Sequence, residues 1–311
     1  DIAFVSVGGN HLPAVAKSVA EILNKYGVKE EVKNIVVCEN WKDAADTFKE
    51  SMMNNLNENN KLLFQKYVGV SEAVLMRTAT QPDAKLAKEY PEDVWVQNFW
   101  YLPFDKSRLK GDIPKIKYVE LLDNFGNFLT QKMYTNNTSN AVIAYTGYLL
   151  GYKILSDAAN SREISDLLDK TYEEINATLV AELGVDPKKQ EEFSMKARAK
   201  YCDKVIVDLV TRHAKDPIRK LGPQDRLIAP CRMALKHGIY PETLIDTIAK
   251  ALYFDFEEDE SAIKLAQMRK DKGIEYVLQK VCQLSPEEPL YQEVLKSVDK
   301  IRKQGLVKGH E

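Results

Sequence analysis

The chain has 311 residues, 44 Lys+Arg against 46 Asp+Glu, a net charge of −2 and 44% hydrophobic residues. That length allows two cores, and the near-neutral balance excludes the basic footprint of a nucleic-acid binder. Four scattered cysteines (Cys38, Cys202, Cys231, Cys282) make no CxxC pair and no apolar run approaches bilayer length, so disulfide, zinc and membrane classes are set aside for a reducing cytoplasm.

The start, DIAFVSV, is an apolar run that reads as a buried strand over Asp1–Val7, ending at Gly8-Gly9. A helix-period segment, His11–Tyr26, and a second strand, Asn34–Cys38, follow. Strand, Gly turn, helix and strand make a βαβ unit of the kind used by doubly wound nucleotide-binding domains. The fingerprint G-x-G-x-x-G is nevertheless absent, because no two glycines in the chain are separated by one residue. Cys38-Glu39-Asn40 closes the second strand, and ligands of open α/β sheets bind beyond such carboxyl ends. On the residues alone, Asn40 could equally make a local turn bond.

Trp41–Asn55 has helical periodicity and runs into NNLNENN, read as an exposed loop. Phe64–Glu72 and Val94–Leu102 have the Val, Trp, Phe and Tyr content of strands that would complete the sheet. Charged and turn residues at Phe104–Pro114 mark a boundary, and from Tyr118 onward the periodicity is almost only helical. The expected division is a nucleotide-binding domain over 1–107 and an all-helical domain over 108–311. Long amphipathic helices are expected over Ser161–Leu183, Pro187–Arg212, Gln224–Lys236, Pro241–Tyr253, Glu258–Lys270 and Pro289–Lys303, with mixed charges on solvated faces.

Within Asp123–Leu150, the stretch KMYTNNTSNAVIAYTG carries Lys132, Asn137 and Asn140. At about 100° per residue these three fall within a roughly 140° arc of one face. Apolar neighbours (Met133, Tyr134, Val142, Ile143, Tyr145) predict burial, which turns a lysine into a candidate base and leaves carboxamides to hold an oxygen. The plainer alternative is a lysine that snorkels to solvent beside asparagines that tie down loops. The sequons at Asn136, Asn137 and Asn176 read as accidental. Asp216–Pro230, DPIRKLGPQDRLIAP, is a turn rich in Pro and Gly that gathers Arg219, Lys220 and Arg226, with Gln224-Asp225 opening a helix. Such a cluster is either an anion holder or ordinary surface. His11, His213, His237 and His310 have no ligand spacing, so no metal is expected.

Lys132-x4-Asn137-x2-Asn140 resembles the Lys-x4-Asn-x2-His pattern of long-chain polyol dehydrogenases, and its setting is similar to the mannitol-1-phosphate 5-dehydrogenase branch. Cys38–Asn40, Lys110-Gly111…Pro114 and Arg219–Pro230 extend the resemblance over nearly the whole chain. It implies an α/β fold: the C-terminal part of a Rossmann-type domain, its first half upstream of Asp1, followed by a mainly helical substrate domain. It also implies Lys132 as general acid/base, Asn40 and Asn137 as oxyanion holders, and NAD as cofactor, touched by Gly8, Gly9 and Asn40. Arg77, Arg219, Lys220 and Arg226 would bind a sugar-phosphate substrate such as mannitol 1-phosphate or fructose 6-phosphate. Two departures stand inside that site: Asn140 where the family has histidine, and Met76 where it has aspartate before Arg77. They keep alive a homologue that binds a polyol without turnover, or a dehydrogenase for another polyol or sugar acid.

Overall fold

The computed structural model describes residues 1–308 apart from Lys42, Gln81 and Asp83. It divides into two units, Asp1–Leu129 and Thr130–Glu311, each considered by itself.

Unit 1 is α/β. Its elements are β1 (Ile2–Val5), α1 (Leu12–Tyr26), β2 (Lys33–Cys38), α2 (Ala44–Asn55), α3 (Glu58–Tyr67), β3 (Val68–Ala73), β4 (Ala79–Thr80), α4 (Ala84–Glu89), β5 (Trp95–Val96), β6 (Leu102–Asp105) and β7 (Val119–Leu122). The main sheet runs β1-β2-β3-β6-β7, with β1 to β3 parallel, β6 antiparallel to β3, and β7 parallel to β6. Alternation along β2 sends Val37 into the core made with α1, α2 and α3, and Val36 and Cys38 to the opposite face with Ala73 and Phe104. A central parallel strand covered on both faces is why Ile35–Cys38 run apolar without interruption.

Several expectations need correction. The first strand is an edge, not a buried strand: only Val5 is buried and Phe4 is 53% exposed, because a single neighbour flanks it. Phe64–Tyr67 belongs to α3, so the strand expected over Phe64–Glu72 begins at Val68. NNLNENN is not a loop. Asn57 caps α3 through Asn60 N, and the buried Asn60 accepts from Val28 N and donates to Leu23 O. These asparagines are structural plugs at the end of α1. Val94–Leu102 holds only the two residues of β5 and the first residue of β6. The change of composition at Phe104–Pro114 is not the unit boundary, because Val119–Leu122 adds β7 to the sheet.

The resemblance segment Lys110-Gly111 is tied to β2 by the buried Asn34, which donates to Lys110 O at 3.0 Å and accepts Lys110 N at 2.8 Å. Gly69 makes that possible, since a Cβ there would stand 2.2 Å from Asn34 Oδ1. Arg108 forks onto Asp46 at 2.6 and 2.9 Å and reaches Asp105 at 3.0 Å, fixing the turn after β6 to α2.

Unit 2 is helical. After α5 (Phe125–Lys132), Met133–Asn137 forms a π-helical turn that leads into α6 (Thr138–Leu149). The rest are α7 (Leu155–Asn160), α8 (Arg162–Leu183), α9 (Pro187–Cys202), α10 (Val210–Ala214), α11 (Pro217–Lys220), α12 (Ile228–Lys236), α13 (Glu242–Ala251), α14 (Glu260–Lys280, bent at Gly273) and α15 (Pro289–Lys303). Every residue of α6 from Thr138 to Gly147 is buried, so this helix is the axis that α7, α8, α10 and α13 surround. That matches its nearly all-round apolar sequence. Pro187–Arg212 is not one helix: α9 stops at Cys202 and a separate α10 follows. Likewise Gln224-Asp225 lies in a turn, and α12 starts only at Ile228.

Candidate active site

The site is built on the junction of α5, the π turn and α6. In a π turn the hydrogen bond spans five residues rather than four, so side chains five apart come nearly into register. Lys132 and Asn137 are that pair, which brings them closer in direction than a continuous α-helix would. The wide turn frees backbone carbonyls, and the sequence supplies donors for them. Ser139 Oγ donates to Thr135 O at 2.7 Å and Tyr201 OH donates to Asn136 O at 2.8 Å. Thr135 Oγ1 accepts from Gln190 at 3.0 Å, and Thr138 Oγ1 donates to Arg226 O at 2.7 Å. Satisfied in this way, the irregular turn persists inside a buried helix.

Burial, with Lys200 and Arg226 as cationic neighbours, pushes the Lys132 ammonium down to about 8. Lys200, from α9, is itself lowered, mainly by burial. Burial is the leading cause of both shifts; like charge adds to it at Lys132, whereas the Asp208 carboxylate works against the lowering of Lys200. Among the described residues, the Asn137 amide donates to Met133 Sδ, a weak acceptor at 3.1 Å. Its carboxamide therefore gives up little when an oxygen arrives. Asn136, next to it, is buried with Nδ2 unpartnered, and its sequon lies inside the protein. Asn176 is held by Gln190 and Ser194.

Asn140 is 7% exposed and its Nδ2 lies 2.8 Å from His213 Nδ1. His213 Nε2 is in turn 2.7 Å from Asp208 Oδ2, which also accepts from Arg212 at 2.6 Å. Burial alone would raise Asp208, but His213 and Arg212 hold its carboxyl down at about 2. Sequence reasoning missed His213, Asp208 and Lys200. The two α10-region residues sit five apart, yet the partner that gives them meaning is 73 residues away in the chain. Lys200 was lost in the mixed charges of α9.

The Asp216–Pro230 segment is partly reinterpreted. Arg219 bridges Asp216 at 2.6 Å and Asp225 at 3.1 Å, and Arg226 pairs with Asp225 at 2.7 Å. Burial works against Asp225, but Arg226 and Arg219 together keep its carboxyl lowered. Lys220 is not a surface anion holder. It is buried, donates to His213 O, and is pushed down to about 7 by burial with Arg226 and Arg219 nearby. The amides at the start of α11 are also committed, Asp216 N to Asp259 and Ile218 N to Ser261. Among the described residues no group of three or more His, Cys, Asp or Glu is assembled as a metal site.

In unit 1, Asn40 follows β2 at the carboxyl edge of the parallel strands and is exposed. Arg77 lies beyond β3, donates to Phe99 O at 2.9 Å and stacks over the Trp100 ring at 4.3 Å. A dinucleotide fits this edge in part. The carboxyl ends of β1 to β3 suit its nicotinamide end. The Val7 and Gly8 amides, however, are already taken by the Glu39 carboxylate, and a Cβ at Gly9 would stand 2.2 Å from the Trp41 ring. Gly9 is therefore explained by packing against Trp41, and this turn is no phosphate cradle.

Residues 124–302 match the family described as the mannitol dehydrogenase C-terminal domain. The chain is 32% identical over 299 residues to the mannitol-1-phosphate 5-dehydrogenase of Bacillus pumilus, covering 95% of this chain and 77% of that protein. It is 31% identical over 287 residues to the enzyme so named from Geobacillus stearothermophilus, covering 92% and 74%. Among solved structures, D-sorbitol dehydrogenase in substrate-free form superposes with a TM-score of 0.75 at 15% identity, over 96% of this chain and 66% of that one. The Pseudomonas fluorescens mannitol 2-dehydrogenase complex with NAD and D-mannitol gives 0.68 at 13% identity, over 99% and 73%. No described helix is long and apolar enough to cross a membrane.

Proposed function

The chain belongs to the mannitol dehydrogenase family, and within it we propose an NAD-dependent oxidoreductase that interconverts a sugar-alcohol phosphate and a ketose phosphate, of the mannitol 1-phosphate and fructose 6-phosphate type. The observation that carries the reading is Lys132, lowered to about 8 at the mouth of a π turn that brings Asn137 into line with it. A lysine poised near neutrality can both take and return a proton at working pH.

When bound, the nicotinamide supplies or accepts the hydride. Asn40, beyond the carboxyl end of the second strand, would hold its nicotinamide end. In oxidation, neutral Lys132 Nζ takes the hydroxyl proton as the carbon–hydrogen bond opens; in reduction, its ammonium returns one to the new alkoxide. Asn137 Nδ2 donates to the oxygen as charge develops there. Lys200 and Arg226 give the surroundings of Lys132 a cationic character that suits a phosphate, with Arg226 held in place by Asp225 at 2.7 Å. Four free thiols suit a reducing cytoplasm.

The test is NADH oxidation with fructose 6-phosphate, read against Lys132→Ala. Turnover that collapses in the variant supports the reading. Thermal stabilisation by the sugar phosphate without turnover sinks the enzyme and leaves a binding protein.

A further inference from the structure

The Asp208–His213–Asn140 chain has a direction that its atoms dictate. An ionised carboxylate can only accept, so His213 Nε2, at 2.7 Å from Asp208 Oδ2, carries a hydrogen. In the neutral ring Nδ1 then bears the lone pair and accepts from Asn140 Nδ2 at 2.8 Å. That fixes the carboxamide with its NH₂ turned to the histidine. Asn140 Oδ1 has no partner among the described residues, and unlike Asn136 Nδ2 it is not a sealed, unsatisfied atom. It is free to accept from a ligand. If His213 gains a proton, Nδ1 becomes a donor and Asn140 must turn its oxygen toward the ring, leaving NH₂ facing outward.

We propose that His213, held by Asp208, is a positioning residue that orients the Asn140 carboxamide. With the ring neutral, Asn140 offers an acceptor to a substrate hydroxyl; with the ring charged, it offers a donor to a carbonyl. A polyol and the ketose made from it differ in that respect, so the device biases the site between the two partners of the reaction. This inference rests on the proposed dehydrogenase reading, which supplies both ligands.

The groups around His213 set its balance. Asp208 and Arg212 flank it on its own segment. The α11 lysine Lys220 donates to its carbonyl, and α6 contributes Tyr145, whose hydroxyl bonds Ala214 O. Lys200 of α9 couples to Asp208, and α7 brings only the exposed Asp157.

The experiment uses the whole chain with ¹⁵N-labelled histidine. Long-range ¹H–¹⁵N spectra, with His213 assigned by its loss in His213→Gln, identify the ring tautomer. Protonated Nε2 and bare Nδ1 above the titration are expected; the opposite tautomer overturns the proposal, whatever the enzyme does. The kinetic arm compares KM for mannitol 1-phosphate and for fructose 6-phosphate across about pH 5 to 8. In the wild type the KM ratio should move with His213 ionisation. His213→Leu should flatten that dependence and raise the polyol KM about tenfold with kcat little changed. His213→Gln, whose carbonyl is a fixed acceptor for Asn140, should restore the polyol KM but not the pH response. An unchanged pH response in both variants overturns the positioning role. Absent wild-type turnover overturns the dehydrogenase reading instead, and the tautomer spectrum still decides the orientation of Asn140.

Discussion

At the scale of single residues, the proposed chemistry turns on one lowered lysine. Lys132 is pushed to about 8 by burial first and by Lys200 and Arg226 second. With neutral Lys132 as the proposed base, kcat/KM for polyol oxidation should rise with pH and level off above about 8. Reduction needs the ammonium and should fall over the same range. Lys200→Met removes one cationic neighbour and should move that midpoint upward, a shift that initial rates across a pH series would reveal. Lys132→Met should cost about a hundredfold or more in kcat, the usual worth of a positioned acid–base group. A midpoint unmoved by Lys200→Met would mean that the titrating group is not Lys132. The same sign governs stability. A lysine whose folded pKa lies below its unfolded value is a burden at low pH, and that burden lifts as pH rises through about 8 toward the unfolded value.

At the scale of elements, the π turn is what lets a five-residue spacing bring Asn137 into line with Lys132. Deleting Asn136 removes its unpartnered buried amide and lets the turn close as ordinary α-helix, which leaves Asn137 four residues after Lys132 and within about 40° of it. Turnover should therefore stay within about tenfold of the wild type and calorimetry should still show a cooperative transition; a collapse of activity in a folded deletion would mean that the alignment of Lys132 with Asn137 is not what the π turn contributes. A second element prediction concerns the α1–α3 plug. Asn60→Ala strands Val28 N and takes from Leu23 O one of its two donors, leaving Gly27 N, and should cost about 1–3 kcal/mol by urea unfolding, where an exposed loop asparagine would cost almost nothing. These two elements also mark what could be read in advance. Pro289–Lys303 was legible to the residue because a proline opens a long amphipathic run. The pairing of Lys132 with Asn137 was legible as a pattern, but the π turn that aligns them leaves no local signature. Asn57–Asn60 looked like a loop because carboxamides that bond backbone more than 30 residues away have the same composition as those that bond water. Phe64–Tyr67 misled for the same reason: its apolar residues suit either period, and packing against the sheet decided for helix.

At the scale of the whole molecule, the buried apolar residues sort by unit. The largest cluster runs from Ala141 to Val307 and draws wholly on unit 2, whereas the two smaller clusters, around Phe48 and Phe104, draw wholly on unit 1. A helical body with its own closed core needs no sheet to fold against. The isolated segment 130–311 should therefore keep native-like helical circular dichroism and a cooperative melt. The cysteines report this directly. Cys231 and Cys282 are buried in the unit 2 core, where burial raises the first well above the ordinary thiol range and the second to about 12. Cys202 is only half-buried, and Arg198 works against its upward shift. In the isolated segment, Cys202 should react first with a thiol reagent, while Cys231 and Cys282 should stay silent until denaturant carries the segment through its transition. If all three react together in native buffer, the unit 2 core does not stand alone, and the sorting of clusters by unit has no energetic meaning.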